Sequence, residues 1–274
     1  MALLKPIVTR EHGSWAVLLI PLISGASVAG SWTVATALFM LSSLGIFMSH
    51  VPLQTLIRES PGEKRNREKT SASKFWALFY LGFGIVMAVP LLLQGLWVII
   101  PIGLLAALFF IMNVLLVRKY HKTVVSDFIA MLGLTLTAPA AYYVGTGNSG
   151  LHAALLWLVH ILFFGSSVVY VHMKIRGTSL NQERFTWPEK LPLAKVNLFY
   201  HVFVIAVVFM LMDMGLRPEL TGLAFFPVIV HAVYGTINLS NRVRFKQLGL
   251  LLLASSIFFG LFISMAFAGV VGMR

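Results

Sequence analysis

Long apolar runs, separated by short polar or turn-forming segments, follow one another along almost the whole chain. The runs cover approximately residues 14–30, 34–57, 75–94, 97–117, 124–145, 152–173, 196–214, 219–239 and 247–271. Each is close to the length of about 20 apolar residues that a helix needs to cross a bilayer. Because backbone exposed to lipid must satisfy its own hydrogen bonds, each run is predicted to be helical. The pattern therefore predicts an all-α, polytopic transmembrane bundle of about nine spans that forms a single integral membrane domain, residues 1–274.

The composition favours a membrane protein over a soluble one. Of the 274 residues, 58% are hydrophobic and 11% are charged, and the mean hydropathy is +0.88. The first run is interpreted as a span rather than a cleaved signal peptide, because Glu11 and His12 stand directly before it and a second run follows at once. The chain has no cysteine, which excludes disulfides, thiolate metal sites and cysteine nucleophiles.

Positive charge is in excess, with 21 Lys and Arg against 9 Asp and Glu. If the runs alternate across the membrane, nearly all cations fall on one side, including two long loops at about 58–74 and 174–195. Only Arg217 and Arg274 fall on the other side. Positive loops mark the cytoplasmic side, so the N-terminus is predicted to be cytoplasmic and the C-terminus external, in a bacterial inner (plasma) membrane. Charge arranged in this way indicates topology and contact with membrane lipid, and no nucleic acid is expected as a partner.

Two spans end in similar polar stripes on this side. His50, Gln54 and Arg58 close the second span, and His172 and Arg176 close the sixth. Residues spaced by four lie on one face of a helix, so each stripe presents imidazole and a cation together at the same membrane depth. The alternative is that these side chains only reach out to lipid headgroups, as basic residues at span ends commonly do.

Further cations follow or flank these stripes, and they are the candidates for binding a phosphate or diphosphate. Arginine forks suit such oxygens because they make two parallel hydrogen bonds. The candidate substrate-binding residues are Gln54, Arg58, Arg65, Arg67, Lys119, Lys174 and Arg176. Anionic lipid is an equally good partner for the same residues.

Proton-transfer candidates lie at the same level. Glu11 and His12 precede the first span, and they form either a surface ion pair or groups that reach into a cytoplasmic cavity. Asp127 begins the fifth span, where capping and the helix dipole explain it better than a catalytic role does. With His50 and His172, these three residues are the catalytic candidates.

Metal and haem sites find little support in the sequence. The nine acidic residues form no paired aspartates of the kind that hold Mg²⁺ against a diphosphate, so no metal ligand is predicted. A bis-histidine haem needs two histidines on different helices at one depth, and His50 and His172 meet that condition best.

Two resemblances follow from these residues. The sequence Arg-Glu-His-Gly-Ser-Trp-Ala at 10–16 resembles the opening of the YwiC-like bacterial membrane proteins. The nine runs, the two loops after the second and sixth spans, and the stretch 116–147 resemble the UbiA superfamily of intramembrane prenyltransferases. This second resemblance implies a lipophilic cavity, open to the cytoplasm, in which a prenyl diphosphate is ionised and its carbocation attacks an acceptor.

The chain departs from the UbiA superfamily at the metal site. That superfamily binds diphosphate through Mg²⁺ held by Asn-Asp-x-x-x-Asp-like motifs, but the two polar stripes stand at those positions here. Cations in place of carboxylates attract anions directly and repel Mg²⁺, so standard Mg²⁺-dependent transfer is not expected and the cofactor is left unknown.

Three functions therefore stay open. The first is a UbiA-like binder of a lipophilic molecule with an anionic head, of the prenyl phosphate or quinone-precursor type, or a divergent transferase that acts on it. The second is a membrane transporter or an accessory protein. The third is a haem- or quinone-handling respiratory factor.

Overall fold

A computed structural model describes residues 5–9, 12–58, 67–120, 122–180 and 185–271 of the chain. These residues form ten helices and no strand. The helices are α1 (His12–Ala29), α2 (Val34–Arg58), α3 (Arg67–Leu93), α4 (Ile99–Tyr120), α5 (Val124–Thr135), α6 (Thr137–Thr146), α7 (Leu151–Thr178), α8 (Trp187–Asp213), α9 (Pro218–Ile237) and α10 (Phe245–Val271).

Within the described ranges, eight helical segments have the length and apolar composition needed to cross a membrane, and the shorter apolar helix Gly13–Ala29 accompanies them. One of the eight combines α5 and α6 into a single crossing, residues 124–146. Large apolar side chains such as Leu93 and Phe199 are strongly exposed on the outside of the bundle. A surface of this kind requires lipid around it, so the predicted all-α polytopic membrane bundle is confirmed.

The fifth crossing differs from the prediction, because it is two helices that meet at Leu136 rather than one continuous helix. Pro139 has no N–H to donate to the carbonyl of Thr135, so the regular hydrogen-bond ladder is interrupted there. The Thr135 hydroxyl donates to the carbonyl of Met131 at 2.9 Å, and the indole N–H of Trp157 donates to the same hydroxyl at 3.1 Å. Side chains therefore satisfy polar groups at the break and fill it.

Several helices continue into the segments that the sequence assigned to loops. Helix α3 begins at Arg67, α7 continues to Thr178, and α8 begins at Trp187. The start of α8 is fixed by a capping box, in which the backbone N–H of Thr186 donates to the Glu189 carboxylate at 2.8 Å. Capping and charged residues extend these helices beyond their apolar runs, so the connecting loops are shorter than predicted.

Small residues allow the closest helix contacts. Gly45 of α2 and Gly84 of α3 face each other so closely that a Cβ at Gly45 would lie 2.9 Å from the backbone nitrogen of Gly84. Gly25 of α1 lies against the backbone of Ala138 in α6 in the same way. Contacts of this kind are typical of helix pairs in membranes, where close van der Waals packing replaces the hydrophobic effect.

Contacts between distant residues define the two ends of the bundle. At one end the Ser31 hydroxyl donates to the carbonyl of Gly145 at 2.8 Å. At the other end Trp15 packs edge-on against Phe47, with ring centroids 4.9 Å apart. We call this second end the basic end; it holds the start of α1, α3, α5, α8 and α10 and the end of α2, α4, α7 and α9.

Candidate functional site

A cavity of about 500 Å³ lies at the basic end, between the N-terminal segment 5–9 and α2. We call it the α2 cavity, and its lining residues are Lys5, Pro6, Ile7, Val8, Thr9, His50, Val51 and Gln54. The i, i+4 spacing places His50 and Gln54 on one face of α2, and this face lines the cavity, as the predicted stripe requires.

A row of rings connects the α2 cavity to the interior of the bundle. Phe47 stacks on His50 with centroids 6.3 Å apart, and the edge of Phe110 in α4 approaches His50 at 5.8 Å. Trp15 extends the row to α1, and its indole N–H donates to the carbonyl of Thr9 at 3.4 Å. His50 therefore packs between aromatic side chains of α2 and α4, next to the segment that covers the cavity.

A second polar group forms between α5 and α7. The imidazole Nε2 of His172 lies 2.9 Å from Oδ2 of Asp127, and the two side chains are 15% and 32% exposed. An ionised carboxylate can only accept, so His172 Nε2–H donates to Asp127. The pair fixes the orientation of the His172 ring.

The start of α5 is positioned by its own capping residues. Thr123 and Ser126 form a capping box, with the backbone N–H of Ser126 donating to the Thr123 hydroxyl at 3.1 Å. The amide of Asn113 in α4 donates to the carbonyl of Ser126 at 2.6 Å. Asp127 is thus in the first turn, where it complements the helix dipole as expected, and it also serves as the partner of His172.

A narrow cleft adjoins this pair, between α5, α7 and α8. We call it the α7–α8 cleft; it is lined by Val124, Val169, His172, Met173, Arg176, Leu193, Val196 and Asn197. Its interior is about 10 Å³, close to the space of one water molecule. His172 and Arg176 line it together, so the second predicted stripe also lines a cavity.

Lysine side chains at the basic end are partly used within the fold. Lys174 Nζ donates to the carbonyl of Gly235 at 2.9 Å, and Lys190 Nζ donates to the carbonyl of Ile237 at 2.6 Å. Both carbonyls belong to the last turn of α9, where carbonyl groups have no N–H donor within the helix. Lys119 is exposed and lies 4.9 Å from the centre of the Tyr120 ring.

Some predicted site residues lie outside the part of the chain that the structure describes. Glu11 and Arg65 are not among the described residues, and the side chains of His12, Arg58 and Arg67 are likewise outside it. Five of the remaining candidates form two groups: His50 with Gln54 at the α2 cavity, and Asp127, His172 and Arg176 at the α7–α8 cleft. Lys119 and Lys174 line neither cavity.

The buried histidines show how the fold uses imidazole in its interior. His160 is fully buried, its Nδ1 is 2.7 Å from the carbonyl of Leu156, and its ring meets the edge of Phe259 at 5.2 Å. Within the described part of the chain, no group of three His, Asp or Glu side chains could hold a metal ion.

The helices and the two cavities define the class of protein: a polytopic, all-helical integral membrane protein with two partly polar cavities at its basic end. Residues 8–142, slightly less than half of the chain, match the model of the YwiC-like protein family. No curated protein and no solved structure matches the chain. The family match includes His50, Gln54 and Asp127 but ends before His172 and Arg176.

Sequence reasoning missed Asn197, which lines the cleft from α8. It lies at the start of a long apolar run, and a buried amide in such a run is the signal that could have drawn attention to it. The Asp127–His172 contact was also missed, although both residues were placed at the same membrane depth.

Proposed function

We propose that this protein binds, in its α2 cavity, a lipophilic molecule with an anionic head, of the prenyl phosphate or quinone-precursor type. The observation that supports the proposal is the cavity itself: about 500 Å³ in volume, with Lys5, His50 and Gln54 among apolar side chains. Ligand sites commonly have volumes of about 300–1,000 Å³ and mostly apolar linings with a few polar groups that orient the ligand.

The polar lining fits the head of such a molecule. Lys5 provides a positive charge, and the Gln54 amide and the His50 imidazole provide donors for phosphate or carboxylate oxygens. Arg58, whose side chain lies outside the described part, follows Gln54 by four residues in the sequence and is the next cation along α2. In this arrangement the anion is bound by cations directly, without a metal ion.

The apolar part of the ligand would lie along the row of rings. Trp15, Phe47 and Phe110 lead from the cavity towards α1 and α4. Aromatic and isoprenoid groups both pack well on such faces and edges. A divergent transferase activity is the enzymatic form of this proposal, with His50 exchanging protons at the bound head.

We further propose that the basic end faces the cytoplasm of a bacterial inner membrane. Described cations at this end include Lys5, Arg118, Lys119 and Lys195, whereas Arg217 lies at the opposite end. Positive charge is retained on the cytoplasmic side of membrane proteins, and it would also draw an anionic head towards the cavity.

Native mass spectrometry of the full chain in detergent tests the binding proposal, with farnesyl phosphate as the probe and farnesol as its uncharged counterpart. Wild-type protein should bind farnesyl phosphate more tightly than farnesol. The double variant Lys5→Gln, Gln54→Leu should bind farnesyl phosphate about tenfold more weakly, because a charge-assisted and a neutral hydrogen bond are lost. The matched control Arg217→Gln removes one cation at the other end and should bind as wild type does.

Two results would count against the proposal. One is equal binding of farnesyl phosphate to wild type and to the double variant. The other is an equal loss in Arg217→Gln, since that would reflect net charge alone.

A membrane transporter is the second candidate, and the break in the fifth crossing favours it. Transporters often place substrates at discontinuous helices near the middle of the membrane. Here Thr135 and Trp157 fill the break, so transport would require that hydrogen bond to open. Uptake of an anion into proteoliposomes that contain the purified protein would support this candidate over the first.

A further inference from the structure

We propose that the α7–α8 cleft is a second binding site, which takes the hydroxyl group of an otherwise apolar molecule. The site is separate from the α2 cavity, with which it shares no lining residue. The proposal goes beyond the function proposed above and does not depend on it.

The first observation concerns Asn197, which is 1% exposed and lines the cleft. Its amide nitrogen donates to the Thr236 hydroxyl at 3.4 Å, whereas its Oδ1 accepts no hydrogen bond from the described residues. A buried acceptor without a donor is unfavourable, so a ligand that donates a hydrogen bond to Oδ1 would be stabilised in the cleft.

The second observation is the donor set around the same cleft. The guanidinium of Arg176 can only donate, and it lines the cleft one helical turn from His172. A ligand that satisfies both Asn197 Oδ1 and Arg176 must therefore donate one hydrogen bond and accept another.

These requirements exclude other ligand groups. A carboxylate or a fully ionised phosphate has no proton for Asn197 Oδ1, and Asp127 would repel it from beside the cleft. An ammonium group has no acceptor for Arg176 and is repelled by it. A hydroxyl group donates and accepts, and its oxygen is the size of a water molecule, which is what the interior of about 10 Å³ allows.

The rest of the lining indicates what carries the hydroxyl. Val124, Val169, Leu193 and Val196 are apolar and surround the polar groups. The body of the ligand would therefore be apolar, either a small aromatic or aliphatic alcohol or the hydroxyl of a lipid. His172, held by Asp127 at 2.9 Å, gives the cleft one rigid polar wall.

Fluorine NMR of the full chain in detergent micelles tests this site, with 4-fluorophenol as the probe and 4-fluorotoluene as the counterpart without a hydroxyl. Wild type should bind 4-fluorophenol saturably and should not bind 4-fluorotoluene in the same way. Asn197→Leu should weaken 4-fluorophenol binding about fivefold, because the buried acceptor is lost. Lys195→Gln, a neighbouring exposed cation on α8, should leave binding unchanged.

Arg176→Gln provides a second variant, since Arg176 is exposed and its replacement leaves the core intact. It decides the question if Asn197→Leu does not fold. Two results would overturn the proposal and leave water as the occupant of the cleft. One is equal affinity of wild type and these variants for 4-fluorophenol. The other is equal binding of 4-fluorophenol and 4-fluorotoluene to wild type. Competition with a diacylglycerol, which carries a lipid hydroxyl, tells the two sources apart: displacement of bound 4-fluorophenol assigns the site to a lipid, and its absence assigns the site to a small free alcohol.

The two proposals fail independently. Cleft variants should still bind farnesyl phosphate as wild type does, and the Lys5→Gln, Gln54→Leu variant should still bind 4-fluorophenol.

Discussion

Alanine in place of Gly84 tests the closest contact between two neighbouring helices, α2 and α3. The new Cβ would lie 2.9 Å from Cγ1 of Ile46, 3.0 Å from the carbonyl oxygen of Ser42 and 3.1 Å from the backbone nitrogen of Ile46. Ordinary van der Waals contact begins at 3.4 Å. The Ile46 side chain can rotate away, but the two backbone atoms can retreat only if the helices separate by a few tenths of an ångström.

The magnitude follows from the cost of overpacking, which is about 1–3 kcal/mol for one inserted methyl group in a close-packed interior. Gly82 provides the matched control on the same helix, because a Cβ there meets nothing within 4 Å. Gly82→Ala should be neutral or slightly stabilising, since alanine is the better helix former. We therefore expect Gly84→Ala to be less stable than Gly82→Ala by about 1–3 kcal/mol, or roughly 5- to 150-fold in the unfolding equilibrium.

Unfolding of the purified variants by sodium dodecyl sulfate in mixed micelles, followed by tryptophan fluorescence, measures this difference. The chain contains six tryptophans, so the signal needs no label. Equal unfolding midpoints for the two variants would refute the reasoning, because they would show that α2 and α3 are not close enough at position 84 to require glycine there. The same conclusion holds if both variants shift equally from wild type, because the effect would then come from the loss of glycine flexibility that the two variants share.

Three further predictions concern the basic end, the fifth crossing and the orientation. A double-mutant cycle with Asp127→Asn and His172→Gln should give a coupling free energy of about 1 kcal/mol in the same assay, and a coupling near zero would show that the 2.9 Å contact contributes nothing. Trp157→Phe, which removes the indole hydrogen bond at the break between α5 and α6, should destabilise the fold by about 0.5–1 kcal/mol, with an unchanged midpoint as the contrary result. Because the chain has no cysteine, the single substitutions Lys119→Cys and Asn148→Cys should react with a membrane-impermeant maleimide from opposite faces, and labelling from the same face would contradict the alternation of spans.

The spans could be predicted from the sequence because hydropathy alone determines which segments lipid can surround. The break at Leu136 could not be predicted in the same way, because the residues on both sides of it are apolar enough to continue the span. Pro139 was visible within the run, but membrane helices tolerate proline when other groups satisfy the freed carbonyl. Here the indole of Trp157 donates to the Thr135 hydroxyl beside the break, and the position of Trp157 depends on tertiary packing.

The sequence predicted how deep the candidate site residues lie in the membrane. It could not predict their lateral positions within the bundle. Counting from the span ends placed Asp127 and His172 at the same height, yet height does not determine which helices are neighbours. Helix packing brings α5 beside α7 and therefore joins these two residues. It also places His50 and Gln54 in a different cavity from Arg176, so the two similar stripes line two separate sites.

The two lysines at the end of α9 limit what the net charge of +12 can be taken to mean. Lys174 and Lys190 reach the carbonyls of Gly235 and Ile237, where they neutralise the negative end of a helix dipole. The backbone carbonyls offset part of these two charges and engage each ammonium group within the fold, so neither lysine is wholly directed towards an approaching anion. The cations that set membrane orientation and the cations that recognise a ligand are consequently overlapping but different sets, and only the contacts of each side chain distinguish them.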